Sequence, residues 1–465
     1  MAGQPDRTVV SAWPGRCVVT RTDVPLDPYL PQCGNTGYRV SQYDLDLTYK
    51  VVGNRLSGTA TIALTVTDDR DRFAFDLGDT LHVAKVSVEH GPDERSTKPV
   101  RARRKAKFTH RAGKLVVTLP GAVDAGTALR VAVHYAGRPR PIRSRWGEVG
   151  WEELTGGSIV ASQPNGASSW FPCNDHPSSK APYRMSITTD SPFTAVANGT
   201  LVGRTTRASR TTWVYEQPQP MASYLATIQI GHYDAMRAAS DPVPITVFHP
   251  ARLRREAAHD FDRQSRMLAI FGELFGEYPF PAYSVVVTDD ELEIPVEAQG
   301  LSIFGSNHCD GRRGSERLVA HELAHQWFGN SVTLGQWRDI WLHEGFACYA
   351  EWLWSENSRG ASAAVHASHA HARLTRLPQD IVVGDPGPDA MFDDRVYKRG
   401  ALALHALRAA TGDDAFFGLL RAWTSENRYG TVDTDGFVAL AQQRTDTPIR
   451  PLVDAWLYSA PLPSL

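Results

Sequence analysis

Two histidines four residues apart, His321 and His325, have the spacing of a pair of metal ligands. They lie in the run Leu318 to Asn330, which is rich in Leu, Ala, Glu and Gln and contains no Pro or Gly before Gly329. This composition predicts a helix. Residues four apart on a helix share one face, so the two imidazoles could hold one Zn2+ at roughly 2.0–2.1 Å each. Glu322 would project beside that face, where it could act as a base on a water next to the metal.

A third ligand would distinguish a metal site from a chance pattern, since the alternative is a helix whose histidines are merely surface polar groups. A catalytic zinc needs three protein ligands and one open position. Glu344, with 18 residues between it and His325, is the best candidate. The adjacent His343 could also bind metal, but on a helix its side chain would point about 100° away. Glu344 could instead be an ordinary exposed glutamate, although an isolated carboxylate would be costly to bury among its apolar neighbours, Trp341, Leu342, Phe346 and Tyr349.

Length and composition indicate an ordinary globular protein. A chain of 465 residues is too long to fold around one compact core, and about two to four domains are expected. The formal net charge of -2 gives no electrostatic argument for nucleic acid or an acidic membrane as a partner. No window approaches 18 consecutive apolar residues, so a membrane span is not expected.

The N-terminus and the cysteines predict a cytoplasmic protein. Residues 1–32 contain no basic segment followed by an apolar one, so a signal peptide is not predicted. The cysteines are odd in number and widely spaced, which is not typical of a disulfide framework. A Cys17–Cys33 bridge remains an alternative to free thiols. The five positions are Cys17, Cys33, Cys173, Cys309 and Cys348.

The hydrophobic pattern divides the chain into three parts. Residues 1–36 are rich in Pro, Gly and Arg and are predicted to form an irregular arm laid on the next domain. Residues 37–235 alternate apolar and polar side chains over short runs, which predicts an antiparallel β domain. Residues 236–465 become helical in pattern after Pro250 and contain the metal helix, which predicts a catalytic domain.

Two basic stretches, residues 101–107 and 138–143, interrupt the predicted β domain. A nucleic-acid contact is one interpretation of such runs, and solvated loops between strands are the other. Because no aromatic residues are interleaved and the chain is nearly neutral, we favour solvated loops.

The third part has its own order of predicted elements. Residues 251–275 are predicted to be helical and residues 283–287 to form a strand. Residues 338–457 are predicted to be mostly helical, with a break near residues 384–388. Three further histidines in Ala-rich sequence are predicted to occupy an exposed helix face rather than a metal site: His366, His369 and His371.

Taken together, these motifs resemble the gluzincin aminopeptidases of the aminopeptidase-N type. That family has His-Glu-x-x-His, 18 residues and Glu, and some 50–60 residues later Tyr-x-x-Gly, which Tyr397 and Gly400 match. Its N-terminal domain carries Phe-Pro-Cys-x-Asp-x-Pro and a nearby Lys-Ala, to which Phe171–Pro177 and Lys180-Ala181 are similar. The resemblance covers most of the chain, and further landmarks are Pro220–Leu225 and Tyr278–Pro281.

The resemblance implies a multidomain α+β fold. An N-terminal antiparallel, saddle-like β-sheet domain would be followed by a mostly helical, thermolysin-like catalytic domain. Relatives commonly add a large helical C-terminal domain, which we expect to be absent because this chain stops about where it would begin. We therefore expect an active site that is open to longer or bulkier peptides.

The resemblance also implies roles for individual residues. One Zn2+ per chain would be held by His321, His325 and Glu344, with Glu322 as the general base. Tyr397 would donate a hydrogen bond to the tetrahedral oxyanion. The two residues that would bind the free α-amine of the substrate are Glu297 and Gln163.

The surroundings of Glu297 depart from the family pattern. Relatives carry Gly-Ala-Met-Glu-Asn, whereas this chain has Ile-Pro-Val-Glu-Ala at 294–298. The glutamate is retained, 24 positions before His321. Pro295 lacks a backbone donor that an extended peptide could otherwise use, so the geometry of amine binding and of the first side-chain pocket is open at this point.

The predicted activity is that of a zinc-dependent aminopeptidase acting on peptides with a free N-terminus. A zinc endopeptidase or leader-trimming protease would share every zinc residue, and a few relatives use the same zinc on epoxides. A non-catalytic zinc scaffold is a third alternative. Asp339 and Glu351 are candidates to orient the metal-binding imidazoles, Glu351 because it lies seven residues after Glu344 on the same helix face.

Overall fold

The computed structural model of the protein describes residues 26–91 and 104–465. Strands joined by turns form the first part, as the alternation of apolar and polar residues predicts, although the longest, β1, has 13 residues. They are β1 (Tyr38–Lys50), β2 (Arg55–Val66), β3 (Arg70–Asp76), β4 (Leu81–His90), β5 (Arg104–Lys105), β6 (Lys107–Arg111), β7 (Lys114–Val123), β8 (Ala128–Gly137), β9 (Ile142–Ser144), β10 (Gly147–Leu154), β11 (Gly157–Ala161), β12 (Ala181–Asp190), β13 (Thr194–Ala197), β14 (Thr200–Arg207), β15 (Arg210–Met221) and β16 (Ile228–Gly231).

An eight-stranded sheet dominates this part, in the order β14-β15-β12-β1-β2-β8-β4-β5. One face of β1 carries Tyr43, Leu45 and Leu47, which are buried in the core. The sheet is not wholly antiparallel as predicted, because β1 and β12 run parallel. Parallel neighbours need a long connection, and here the chain passes through β2 to β11 before it returns beside β1.

Two smaller sheets pack with the large one, in the orders β3-β7-β6 and β13-β16-β11-β10-β9. An aromatic cluster packs on the large sheet, where Tyr43 of β1 lies opposite Tyr183 of β12. The ring of Tyr43 stacks on Tyr183 at 4.7 Å and meets Phe171 edge-on at 5.6 Å. Phe171 belongs to the Phe-Pro-Cys segment, which therefore has a packing role.

A buried carboxylate, Asp76, joins three segments of the first part. It accepts hydrogen bonds from the backbone N–H of Gly34 at 3.1 Å, from the side chain of Asn35 at 2.8 Å and from the backbone N–H of Asp175 at 3.0 Å. The end of the predicted arm is therefore fixed to the β-sheets. Residues 1–25 of that arm lie outside the described residues.

The basic residues in the described part of these two stretches are exposed, as expected of solvated segments, but the stretches are not simply loops. Residues 104–105 form β5, residue 107 begins β6, and residues 142–143 belong to β9. Residues 101–103 lie outside the described residues.

The second part begins with a mixed five-stranded sheet in the order β17-β18-β19-β21-β20. The sequence predicts β19 at its observed bounds and misses the other four strands, which have only three to six residues each. Runs of three or four residues, as in β20 and β21, are too short to show alternation, and β17 contains no β-branched residue. The predicted boundary after residue 235 falls inside β17, and the domain boundaries stay predictions. The strands of this part are β17 (Asp234–Ala239), β18 (Ile245–His249), β19 (Tyr283–Val287), β20 (Val296–Ala298), β21 (Leu301–Phe304), β22 (Thr333–Leu334) and β23 (Thr431–Val432).

Helices make up most of the second part, as predicted. Two helices replace the one predicted over residues 251–275, and the predicted break near 384–388 widens to residues 375–393. None of the helices in the described ranges is both long and apolar enough to cross a membrane. The helices are α1 (Arg254–Asp260), α2 (Gln264–Phe275), α3 (Glu316–Ala324), α4 (Trp341–Asn357), α5 (Ala363–Leu374), α6 (Asp394–Thr411), α7 (Asp413–Glu426), α8 (Thr434–Gln442) and α9 (Ile449–Leu457).

Lys180, just before β12, joins the first part of the protein to the second. Its ammonium nitrogen donates to the carbonyl oxygens of Asn330 at 3.0 Å, Ser331 at 2.8 Å and Gly430 at 3.3 Å, and to Oγ1 of Thr333 at 2.8 Å. All four acceptors lie in the second part. Burial lowers the pKa of Lys180 to about 7.

Replacing Lys180 with Met should lower the free energy of unfolding by about 1–3 kcal/mol at pH 7, because buried carbonyl groups lose their donor. The deficit relative to wild type should grow between pH 7 and pH 9. In that window the unfolded chain, whose lysine pKa is about 10.4, binds more protons than the folded chain, so wild-type stability rises with pH while the variant has no amine to titrate. Urea denaturation at both pH values measures the effect.

The matched control is Lys85→Met, which removes an exposed lysine of β4. It should change the free energy of unfolding by less than about 0.5 kcal/mol at either pH. Equal effects of the two substitutions would contradict the importance of the Lys180 contacts.

Candidate active site

Two histidines and a glutamate converge where α3 ends and α4 begins. The Nε2 atoms of His321 and His325 lie 3.3 and 3.4 Å from the same oxygen, Oε2 of Glu344. All three side chains are buried, and their ligand atoms lie within 4.8 Å of one another. The ligand atoms of a tetrahedral zinc, bound at roughly 2.0–2.1 Å, are themselves about 3.3 Å apart. These residues therefore fit a zinc-sized cation, in the combination that the sequence predicts.

Hydrogen bonds at the opposite ring nitrogens turn both imidazoles toward this point. Nδ1 of His321 lies 2.8 Å from Oε1 of Glu351, and Nδ1 of His325 lies 3.0 Å from the carbonyl oxygen of Phe328. Both partners are acceptors, so each Nδ1 carries a proton and each Nε2 is the atom that would bind a metal, which displaces any proton held there. Arg317 donates to the same Glu351 oxygen at 2.9 Å.

The end of α3 differs from the prediction. Its last residue is Ala324, and His325 is the capping residue rather than a mid-helix position. The chain then turns back, and the backbone N–H of Asn330 donates to the carbonyl of His325 at 3.0 Å. Gly329 in this turn has φ +130°, a region that side chains rarely tolerate. The turn brings the Phe328 carbonyl to the His325 ring, which helix propensity alone does not predict.

The charges of the cluster depend on one another. Burial favours neutral imidazole, but the hydrogen bonds with Glu344 and Glu351 outweigh it and raise the pKa of His321 to about 10. At His325 the carboxylate of Glu344 outweighs burial in the same way and raises the pKa of the imidazole to about 9. Against the effect of burial, the two imidazoles hold the pKa of Glu344 well below its usual range. Glu344 is therefore a carboxylate, the form that binds metal.

Glu322 lies on α3 next to His321 and is 4% exposed. Burial raises the pKa of its carboxyl group, against the opposing effect of the two imidazoles. A carboxylate whose pKa is shifted toward neutrality accepts a proton more readily and can return it, as a general base that later acts as an acid must do.

Helix α6 brings Tyr397 to the cluster. Its ring lies nearly parallel to that of His321, with the centroids 6.2 Å apart and the planes 17° from each other. Burial, followed by the carboxylates Glu344 and Glu297, raises the pKa of Tyr397 well above its ordinary value. The hydroxyl therefore keeps its proton and can donate it in a hydrogen bond.

Two glycines let α4 and α6 approach closely behind these side chains. A Cβ added to Gly400 would lie 2.9 Å from Cα of Gly345, and one added to Gly345 would lie 2.9 Å from Cα of Gly400. Gly345 follows the ligand Glu344, and Gly400 lies three residues after Tyr397. The close contact thus fixes the metal ligand and the tyrosine relative to each other. The sequence marks Gly400 as part of a motif but has no signal for its partner.

Glu297 and Gln163 meet although they lie 134 residues apart. Nε2 of Gln163, in the segment after β11, donates to Oε1 of Glu297 at 2.6 Å. Burial raises the pKa of Glu297 to about 8. Both side chains belong to partly exposed residues, unlike the metal ligands. They form an accessible pair of one carboxyl group and one amide, which could bind a cationic group.

The altered sequence around Glu297 still forms a strand. Residues 296–298 of β20 pair with residues 301–303 of β21, and Glu297 lies opposite Ser302. Pro295 comes directly before the strand, where a missing N–H is tolerated. Glu297 therefore keeps a regular position in the hairpin.

The candidates for orienting the imidazoles divide into one correct and one wrong prediction. Glu351 contacts His321 as expected. Asp339 does not contact either histidine, because its Oδ1 accepts from the backbone N–H and Oγ1 of Thr434 at the start of α8.

The other histidines are used elsewhere. Nε2 of His343 accepts from the backbone N–H of Leu334 at 2.8 Å, so His343 does not face the cluster. The exposed face predicted for α5 is only partly correct. His369 is exposed, whereas His366 and His371 are half-buried and bonded to Ser355 and to the carbonyl of Pro463.

Two family models match the chain. Residues 40–225 match the Peptidase M1 N-terminal domain, and residues 259–456 match the Peptidase family M1 domain. The second range contains the three clustered ligand residues together with Glu322 and Tyr397.

The curated relatives that match this chain have low sequence identity to it and are longer proteins. Aminopeptidase M1-B of Oryza sativa subsp. japonica is 24% identical over 306 residues, which are 62% of this chain and 35% of that protein. Aminopeptidase A of Gloydius brevicauda is 23% identical over 453 residues, 91% of this chain and 46% of that protein. The chain thus spans less than half the length of either relative.

Solved structures match over nearly their whole length. An M1 zinc metallopeptidase from Deinococcus radiodurans is 30% identical with a TM-score of 0.83, covering 94% of this chain and 98% of that one. A mutant of an M1 zinc metallopeptidase from the same organism, bound to a Tyr-Ser-Ala substrate, gives 29% identity, a TM-score of 0.84 and the same coverage.

Replacing Gly400 with Ala should push α6 away from α4 and displace Tyr397. Because misplacing a reacting group by about 1 Å costs up to about a hundredfold in rate, kcat should fall between about tenfold and a hundredfold. Steady-state kinetics and bound-metal analysis measure the effect, and metal content should be unchanged.

The matched control is Gly418→Ala on α7, where an added Cβ meets nothing within 4 Å. It should leave kcat at the wild-type value and raise stability by about 0.5–1 kcal/mol, since Ala replaces Gly within a helix. Loss of activity in both variants would argue against a special role for the close contact.

Replacing Glu351 with Gln should weaken metal binding by about 10- to 100-fold, because the His321 ring loses its charged acceptor. Competition with a chelator gives the dissociation constant. Asp339→Asn serves as the control and should leave the constant unchanged, as Asp339 contacts Thr434 instead. An unchanged constant in Glu351→Gln would contradict the orienting role.

Proposed function

Because the chain belongs to peptidase family M1, we propose that it is a zinc-dependent aminopeptidase that hydrolyses the N-terminal bond of peptides. The observation that carries the proposal is the pairing of two sites. A His-His-Glu cluster with zinc-like spacing lies beside a partly exposed pair, the carboxyl group of Glu297 and the amide of Gln163, and the charge of Glu297 helps to raise the pKa of His325. One site suits hydrolysis of an amide, and the other suits a substrate ammonium group.

The metal would be held by His321, His325 and Glu344, which supply two neutral nitrogens and one anionic oxygen. When bound, zinc polarises a carbonyl group and lowers the pKa of water toward about 7. The roles proposed for the surrounding residues concern protons and position.

Glu322 takes the proton of the attacking water and later delivers it to the leaving amine. Its place on α3 beside His321 and its raised pKa suit both steps. Tyr397 keeps its proton and donates a hydrogen bond to the oxygen that becomes negatively charged during attack. Fixed donors of this kind contribute several kcal/mol in related settings.

Glu297 accepts the ammonium group of the substrate. A carboxyl group of raised pKa gains most from a nearby positive charge, because the ammonium group favours its ionised form. Gln163 holds one carboxylate oxygen and leaves the other for the substrate. Proline at 295 does not weaken this role, since Glu297 keeps its strand position.

Peptides with a free N-terminus are the substrates we propose. A related metallopeptidase was crystallised with a Tyr-Ser-Ala substrate, which is consistent with short peptides. Location in the cytoplasm stays a prediction, supported by the free thiols of the described cysteines, Cys33, Cys173, Cys309 and Cys348. Cys17 lies outside the described residues.

A panel of fluorogenic aminoacyl substrates, each with its N-acetylated counterpart, tests the function. The free-amine substrates should be cleaved and the acetylated ones should not, and a chelator should stop the reaction until zinc is restored. Comparable cleavage of acetylated peptides would favour the endopeptidase alternative.

Glu322→Gln provides the matched control for the chemistry. It should reduce kcat by about a hundred- to ten-thousand-fold, the range of a lost general base. Zinc content per chain should stay at the wild-type value. Retained turnover in this variant would rule out the role given to Glu322.

A further inference from the structure

A glutamine directly after the second metal ligand is tied to the strand that carries Glu297. The side chain of Gln326 is fully buried and uses both ends of its amide. Nε2 donates to the carbonyl of Ala298 at 3.1 Å, and Oε1 accepts from the backbone N–H of Gly300 at 2.7 Å. These two bonds bracket the turn between β20 and β21.

Asn330 makes a second tie from the same segment. Its Nδ2 donates to the carbonyl of Ala298 at 3.0 Å, while its backbone N–H donates to the carbonyl of His325. Ala298 directly follows Glu297. The residue next to the proposed amine anchor is thus bonded twice to the segment next to a metal ligand.

The opposite side of the turn is held by the first part of the protein. Nε2 of Gln299 donates to the carbonyl of Gln219 at 3.2 Å, and Asn198 donates to the carbonyl of Gln299 at 3.0 Å. Those bonds fix the turn against the β-sheets. The bonds from Gln326 and Asn330 fix it against the metal helix, so they set the distance between Glu297 and the cluster.

We infer that Gln326 is a positioning residue that sets the cleavage register, the number of residues between the bound amine and the bond that is broken. The inference rests on the proposed function. If Glu297 holds the amine and the His-His-Glu cluster lies at the scissile bond, their separation decides how much chain fits between them. Without the bonds to Gln326, Glu297 would hold the amine less firmly, and its distance from the His-His-Glu cluster would vary more.

The chemistry of the contact calls for an amide. Ala298 presents an acceptor and Gly300 a donor, and a single glutamine side chain satisfies both. Methionine has a similar length but neither group. Asparagine has both groups on a side chain one methylene shorter, which cannot span both partners from the same backbone position.

The experiment compares wild type with Gln326→Met. The readout is the ratio of kcat/KM for a free-amine substrate to that for its N-acetylated counterpart. Loss of the two bonds should lower this ratio about tenfold or more, chiefly through a higher KM for the free amine. On a peptide of six residues, mass spectrometry should show cleavage at the second bond rising relative to the first. Zinc content should be unchanged.

Gln264→Met is the matched control, because Gln264 is a fully buried glutamine of α2 whose amide atoms have no hydrogen-bond partner among the described residues. It should keep the wild-type ratio. If Gln326→Met does not fold, Gln326→Asn and Asn330→Ala decide the question, and both should lower the ratio.

A wild-type ratio in the folded Gln326 variants, or an equal fall in Gln264→Met, would overturn the inference. Failure of the proposed function has a different signature. In that case wild type itself would show no preference for the free amine, whatever residue occupies position 326.

Discussion

Three electron-rich atoms face one another inside this protein, two imidazole nitrogens and one carboxylate oxygen, with nitrogen–oxygen distances of 3.3 and 3.4 Å. Such an arrangement is favourable only when a positive charge lies among them, as a cation or as shared protons. The surrounding structure maintains it. Glu351 supports one ring, the Phe328 carbonyl supports the other, and the close approach of α4 and α6 places the carboxylate.

Much of this centre could be predicted because it depends on the spacing of residues along single helices. Helical periodicity puts His321 and His325 on one face and relates Glu351 to Glu344 by two turns of one helix. No such periodicity was available for Asp339, which lies in the short 3-10 turn 337–339 before α4 and bonds to Thr434 instead. The early end of α3 and the contact of Gly345 with Gly400 depend on tertiary packing, which no single segment encodes.

The fold likewise has features that the sequence predicts and features that it does not. Alternating side chains predict the strands of the first part, since one face of each is buried. They do not predict which strands are neighbours, and the parallel pairing of β1 with β12 joins segments separated by the whole length of ten strands. In the second part, β20 and β21 are too short to show any alternation, yet β20 carries Glu297. The resemblance to a family located that residue, and the hydrogen bond to Gln163 places it in space.

The crossing of α4 and α6 also limits how this protein can diverge. Gly345 and Gly400 are already the smallest residues available, so neither can shrink to compensate for growth in the other. Most core contacts can be rebuilt by paired substitutions that conserve volume, but this one has no such neutral path. Substitutions in the family are therefore expected at other positions rather than at these two. A protein in which either glycine is replaced would need a shift of a whole helix.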